Sequence, residues 1–264
     1  MMEPVTVSRG DSCLVLAMPH AGTWLPAGAR AALNETGRAL ADTDWHIDRL
    51  YAGLIPQATI VRANFHRYLI DANRDPGGQS LYPGQNTTGL CPETDFDGLP
   101  LYEEDRFPNP EKLQARLAAY HASYHTALAA ELDRLRKLHG VVVLYDCHSI
   151  RSNIPFLFEG KLPDFNIGTN GGVTCAPVME AATVDLCAAA EGYTHALNGR
   201  FRGGWTTRHY GCPDQGIHAI QMELAQSAYL QSEAAPFAYD PAKADRLRPH
   251  LTTILETLIA LAKA

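Results

Sequence analysis

No stretch of the 264-residue sequence approaches the length of about 20 apolar residues that spans a bilayer. The start, MMEPVTVSRGDS, lacks the basic-then-apolar pattern of an export signal, so an unexported, cytoplasmic protein is expected. Runs of Lys and Arg are missing too, and the formal net charge is -7. That leaves no electrostatic footprint for nucleic acid or an anionic membrane surface, and points to a small-molecule partner. The six cysteines, Cys13, Cys91, Cys147, Cys175, Cys187 and Cys212, form no C-x-x-C pair. Their scatter argues against a disulfide framework and against a thiolate zinc site. Any metal must then be held by histidine and carboxylate, for which eleven histidines are ample supply. Internal repeats and low-complexity tracts are also lacking, as is the G-x-S-x-G elbow of a serine hydrolase, so Ser149 is discounted as a nucleophile.

What is present is a chain 46% hydrophobic and 19% charged, able to bury a large core and expected to form one domain over residues 1–264. The apolar run Cys13 to Met18 stops at Pro19-His20-Ala21-Gly22, and Val141 to Tyr145 stops at Asp146-Cys147-His148-Ser149. Both look like buried strands ending beside a histidine. Further strands are expected at Thr59 to Arg62, Thr194 to Asn198 and Ala219 to Leu224. Helical patterns cover about Ala27 to Ala39, Asp44 to Leu54, Ala176 to Ala190, Asp245 to Lys263 and Pro110 to Leu138, the last opened by an Asn109 cap. This alternation predicts an α/β fold with a mostly parallel sheet covered by helices on both faces. Residues 73–108 and 199–216 are rich in turn formers and aperiodic, as expected of loops around a site.

In open parallel sheets ligands collect at the carboxyl edge, which is where His20 and His148 fall. Neutral imidazoles suit zinc, and a catalytic site commonly adds one carboxylate. Asp44 and Asp48 are candidates for it, although Asp44 or Asp42 could equally cap a helix and Asp48 could be a solvated helix acid. Arg67 to Arg74 reads as a short apolar strand with a guanidinium at each end, either anion clamps or partners of Asp71 and Asp75. Glu223 closes an apolar strand pattern, where burial would raise its pKa toward that of a general base, or it starts the next helix. Cys147, next to His148 on a strand, points to the opposite face and belongs to the core.

Five ordered segments, MPHAGTWLP at 18–26, DTDWHIDRLY at 42–51, RYLIDANRDP at 67–76, YDCHS at 145–149 and GCPDQGIHAIQMELAQSAYL at 211–230, together resemble the N-formylglutamate amidohydrolase (deformylase) family of histidine degradation. That family resembles in turn the zinc carboxypeptidases and aspartoacylases. The resemblance implies a zinc-carboxypeptidase-like, phosphorylase/hydrolase-like fold, with a mixed sheet of about eight strands. It also implies zinc, or another divalent metal, on His20 and His148. Glu223 would be the general base, Arg67 would polarise the carbonyl, and Asn73 and Arg74 would hold a substrate carboxylate. The relatives' His-x-x-Glu is absent, Thr23 standing three residues after His20, so Asp44 is favoured as third ligand with Asp48 behind it. A dianionic substrate would call for a second clamp, for which Arg202 in the glycine-rich loop is the candidate. The implied reaction is metal-dependent hydrolysis of N-formyl-L-glutamate by a monomer or small homo-oligomer. A deacylase for N-acetyl or N-succinyl amino acids and a noncatalytic binder of acidic metabolites remain as alternatives.

Overall fold

The structure is a computed structural model and describes residues 2–264. Its strands are β1 (Val5–Ser8), β2 (Leu14–Met18), β3 (Thr59–Ala63), β4 (Val142–Ile150), β5 (Phe165–Gly168), β6 (His195–Leu197) and β7 (Ile217–Ala225). They form one seven-stranded sheet in the order β1-β3-β2-β4-β7-β5-β6, against the expected count of about eight. The central pairs β3/β2, β2/β4 and β4/β7 are parallel, as is β5/β6, whereas β1/β3 and β5/β7 are antiparallel. The mixed, mostly parallel sheet is therefore as expected.

The helices are α1 (Ala27–Ala32), α2 (Glu35–Arg38), α3 (Ile47–Tyr51), α4 (Pro110–Arg116), α5 (Ala122–His139), α6 (Pro177–Ala188), α7 (Trp205–Tyr210) and α8 (Pro241–Ala262). Asn109 caps α4 by accepting from the Lys112 amide, and a single π-helical turn, Leu117–His121, joins α4 to α5. The period-two alternation of the central strands sorts the core into two layers. Leu14, Leu16, Tyr145, Cys147 and Met222 point one way and meet Leu50 of α3, Met179 of α6 and Leu251 of α8. Val15, Ala17, Leu144 and Ala219 point the other way and meet Leu128, Leu132 and Leu135 of α5 together with Phe65, Leu69 and Ile70. Each such buried Leu, Ile or Phe contributes roughly 1.5–3 kcal/mol by leaving water.

Three expectations are corrected. The pattern over 27–39 divides into two short helices, because Asn34 turns its side chain onto the Gly37 amide and so caps a new start. The segment Arg67–Arg74 is a chain of turns rather than a strand. The Asp71 carboxylate accepts from the Asn73 amide two residues on, a local bond that competes with a sheet ladder. Finally, β4 runs on through Asp146 and His148 to Ile150 instead of stopping at Tyr145. Its polar residues lie laterally opposite those of β7, Asp146 beside Gln221 and His148 beside Glu223, so the ladder continues through them.

Candidate active site

That register also sets the chemistry. Asp146, His148, Gln221 and Glu223 share the face of the sheet turned toward α5 and the 65–74 turns, beyond the last apolar layer. His20 follows the end of β2, and its carbonyl accepts from the Asp44 amide at 3.1 Å, which ties the start of the α3 region to the same edge. His20, Asp44 and His148 each present a ligand atom within 4.8 Å of the others, all three buried. Asp44 Oδ2 lies 3.8 Å from His20 Nδ1 and 3.1 Å from His148 Nδ1, and it also accepts from the Ser149 amide. Asp48 is elsewhere, half-exposed and paired with Arg62 at 2.6 Å.

The far nitrogen of each imidazole meets another carboxylate. His20 Nε2 is 2.7 Å from Asp71 Oδ1, and His148 Nε2 is 3.1 Å from Asp146 Oδ1. Carboxylates in those positions fix ring orientation and leave Nδ1 to face the cluster, the arrangement that orients metal-binding histidines. Arg67 Nη1 stands 3.3 Å from His20 Nδ1; a guanidinium can only donate, so that nitrogen carries a lone pair. Burial, helped by the Arg67 charge, lowers the His20 pKa and keeps it neutral. Burial also works against charge on His148, but Asp146 and Asp44 outweigh it and hold its pKa well above the ordinary value. Two imidazoles and one carboxylate, buried and oriented from behind, fit a zinc-type donor set.

Glu223, 7% exposed, borders this cluster. Burial pushes its carboxyl up to about 8, countered in part by the positive charge on His148. Arg67 is 5% exposed and combines both roles open to it in the sequence. Its Nη2 donates to Asp71 at 2.6 Å, yet its side chain lines the cleft and its buried Nε–H has no partner among the described residues. Asn73 lies in the cleft wall with Nδ2 3.0 Å from His148 Nε2, while its Oδ1 accepts from the Thr206 amide of α7. Gly204 must be glycine for this approach, since a Cβ there would collide with the Asn73 amide.

The cleft holds about 550 Å³ with its open mouth included, and its far wall is cationic and aromatic. Arg74 lines it, each of its nitrogens already donating to Asn73, Thr87 or Thr88 oxygens. Arg202, the expected second clamp, is exposed and absent from the lining; Arg200 is there instead. Two residues apart in an aperiodic loop, the two could not be told apart by spacing. Arg200 anchors through Nε to Leu157 O and Nη2 to Asn86 O and lies over the Tyr82 and Phe201 rings. Its Nη1 has no hydrogen-bond partner among the described residues. Asp146 and Asp71 were not singled out as orienting groups. A signal for Asp146 existed, since a residue two before His148 on a strand shares its face. Ser149 Oγ is occupied by the Tyr229 hydroxyl at 2.6 Å, and Cys147 is fully buried in the opposite layer.

A protein of Pseudomonas aeruginosa called N-formylglutamate deformylase is 48% identical over 262 residues, covering 98% of this chain and 97% of that one. One of the same name from Pseudomonas putida is 46% identical over 261 residues, with 98% and 97% covered. The crystal structure of an N-formylglutamate amidohydrolase from Ralstonia eutropha superposes with a TM-score of 0.81 at 25% identity, covering 99% of both chains. The family model for N-formylglutamate amidohydrolase matches residues 12–230, and the chain belongs to that family.

Proposed function

We propose that the protein hydrolyses N-formyl-L-glutamate to formate and L-glutamate, as a step of histidine degradation, using a divalent cation, zinc by preference, held by His20, Asp44 and His148. The observation that carries this reading is the placement of the buried, proton-hungry Glu223 directly beside His148, at the mouth of the His20–Asp44–His148 cluster and facing an arginine-lined wall. Support comes as well from the two similar Pseudomonas proteins that bear the deformylase name.

The cation, when bound, supplies Lewis acidity that acidifies water and polarises a carbonyl. Glu223 takes the proton of the attacking water and delivers it to the leaving amide nitrogen, the two tasks of one carboxylate whose pKa lies near working pH. Arg67, whose fixed guanidinium lines the cleft, stabilises the negative charge that grows on the formyl oxygen. Asp71 holds that guanidinium from behind. Asn73 and Arg74 hold one substrate carboxylate, Arg74 chiefly by its charge, and Arg200 takes the other with N–H groups that its own anchoring bonds leave free. Such a wall favours a small dianion.

The decisive experiment measures formate release from N-formylglutamate by metal-stripped and zinc-restored protein. Turnover that appears with zinc is expected. Absence of formate in both, or equal rates in both, would overturn the reading.

A further inference from the structure

One feature outside the cleft is unexplained by that chemistry. Four histidine or aromatic rings, from the π-helical turn, α5 and α7, cluster behind the Asn73–Arg74 turn. Trp205 lies 4.5 Å from His125 and 4.2 Å from His209, and His121 is 4.4 Å from His125, centroid to centroid. His121 closes the π-helical turn Leu117–His121, and His125 follows one turn later on the same face. Insertions of this kind rotate the residues that follow and are frequent beside functional sites.

Both imidazoles reach the turn's backbone. His125 Nε2 lies 2.7 Å from Ala72 O and His121 Nε2 3.0 Å from Arg74 O. The carbonyl between them, Asn73 O, accepts from the Arg74 side chain at 3.1 Å. Three consecutive carbonyls are thus held, two of them from the same helix. A carbonyl only accepts, so each histidine must carry its proton on Nε2. The Tyr210 hydroxyl, 3.1 Å from His125 Nδ1 and 3.3 Å from His125 O, then shares its one proton between these two acceptors. Burial keeps both rings neutral, with His125 lowered to about 3. Neither imidazole lines the cleft.

We infer that His121 and His125 are positioning residues: donating from the π-helical turn and from α5 to the carbonyls of Arg74 and Ala72, they set the attitude of Asn73 and Arg74 and thereby the capture of the substrate carboxylate. This rests on the reading that Asn73 and Arg74 grip a carboxylate, and the test separates the two claims.

Zinc-loaded wild type is first assayed for formate release from N-formylglutamate; none would defeat the functional reading. His121→Phe keeps a ring against Trp205 and removes the N–H, whereas His121→Gln restores an N–H at the same reach. With the phenylalanine variant, KM should rise about tenfold while kcat and zinc content stay near wild type, and the glutamine variant should recover most of the loss. An unchanged KM, or a loss the glutamine variant does not recover, overturns the inference alone. Should His121→Phe not fold, the tautomers of the wild type decide by nitrogen NMR. Nε2–H on both rings is required, and Nδ1–H on either overturns the clamp.

Discussion

The two halves of the cleft are built on different principles. His148, Asp146, Gln221 and Glu223 stand on adjacent parallel strands, where ladder register fixes their spacing to the precision of the sheet itself. Arg74 and Arg200 stand on turns and loops and are held by borrowed carbonyls, those of Asn73, Thr88, Leu157 and Asn86. The first half must keep several groups at fixed distances from one another, which rigid elements do best. On the proposed function, the second need only offer charge to a flexible anion. Chemistry and recognition are thereby separable, and substitutions should fall into two kinds.

The largest effect is expected at the strand-borne half. Glu223→Gln should reduce turnover by about a hundredfold to ten-thousandfold, the usual range for loss of a general acid–base group, with bound zinc unchanged; near-normal kcat would remove Glu223 from its role. Asp44→Ala should release the metal outright, and elemental analysis after dialysis reads this directly. Behind the ligands, Asp146→Asn should weaken zinc about 10- to 100-fold through a misdirected His148 ring, which competition with a chelator would reveal. At the loop-borne half, Arg200→Ala should raise KM for N-formylglutamate about tenfold and leave kcat alone. It should have no effect on an analogue lacking the side-chain carboxylate, and an equal effect on both substrates would merge the two halves again.

The smallest effect is on stability. In the metal-free protein Glu223 is pushed from an ordinary 4.5 up to about 8, mainly by burial. The folded state therefore holds this proton more tightly than the unfolded chain. Its contribution to stability is complete below about pH 4.5 and is lost as the pH rises through about 8. Glutamine does not titrate, so metal-free Glu223→Gln should melt close to wild type in acid and above it at alkaline pH, by a difference of order a few kcal/mol at most. A gap independent of pH would show that the carboxyl is not buried as described.

Much of this was legible in the sequence, and unevenly. Cys13 to Met18 and the Asn109-capped helix announced themselves by an apolar run and a capping pair, both local signals. β1 escaped notice because Val5–Ser8 is a largely exposed edge strand, and β5 because Phe165-Asn166-Ile167-Gly168 is too short and too mixed to show a period. The apolar Tyr68-Leu69-Ile70 reads as a strand, but the Asp71 carboxylate organises its neighbours by local bonds to Arg67 and the Asn73 amide and by a long-range bond to His20, the last of which no local pattern encodes. The cluster of His20, Asp44 and His148 was assembled from strand ends plus resemblance, and spacing alone left Asp44 and Asp48 level. That Arg200 lines the cleft where Arg202 was expected depends on the course of an irregular loop, which is set by what it packs against.

The lateral pairing of His148 with Glu223 also constrains how the site can change. Were β7 to slide by one position along β4, Met222 and Leu224 would enter the cleft and Glu223 would be thrust toward Tyr145 and Cys147 on the opposite side. On the proposed function, new acyl or side-chain preferences can arise by remodelling the loops, while the strand pairing that sets His148 beside Glu223 is inherited whole or lost whole.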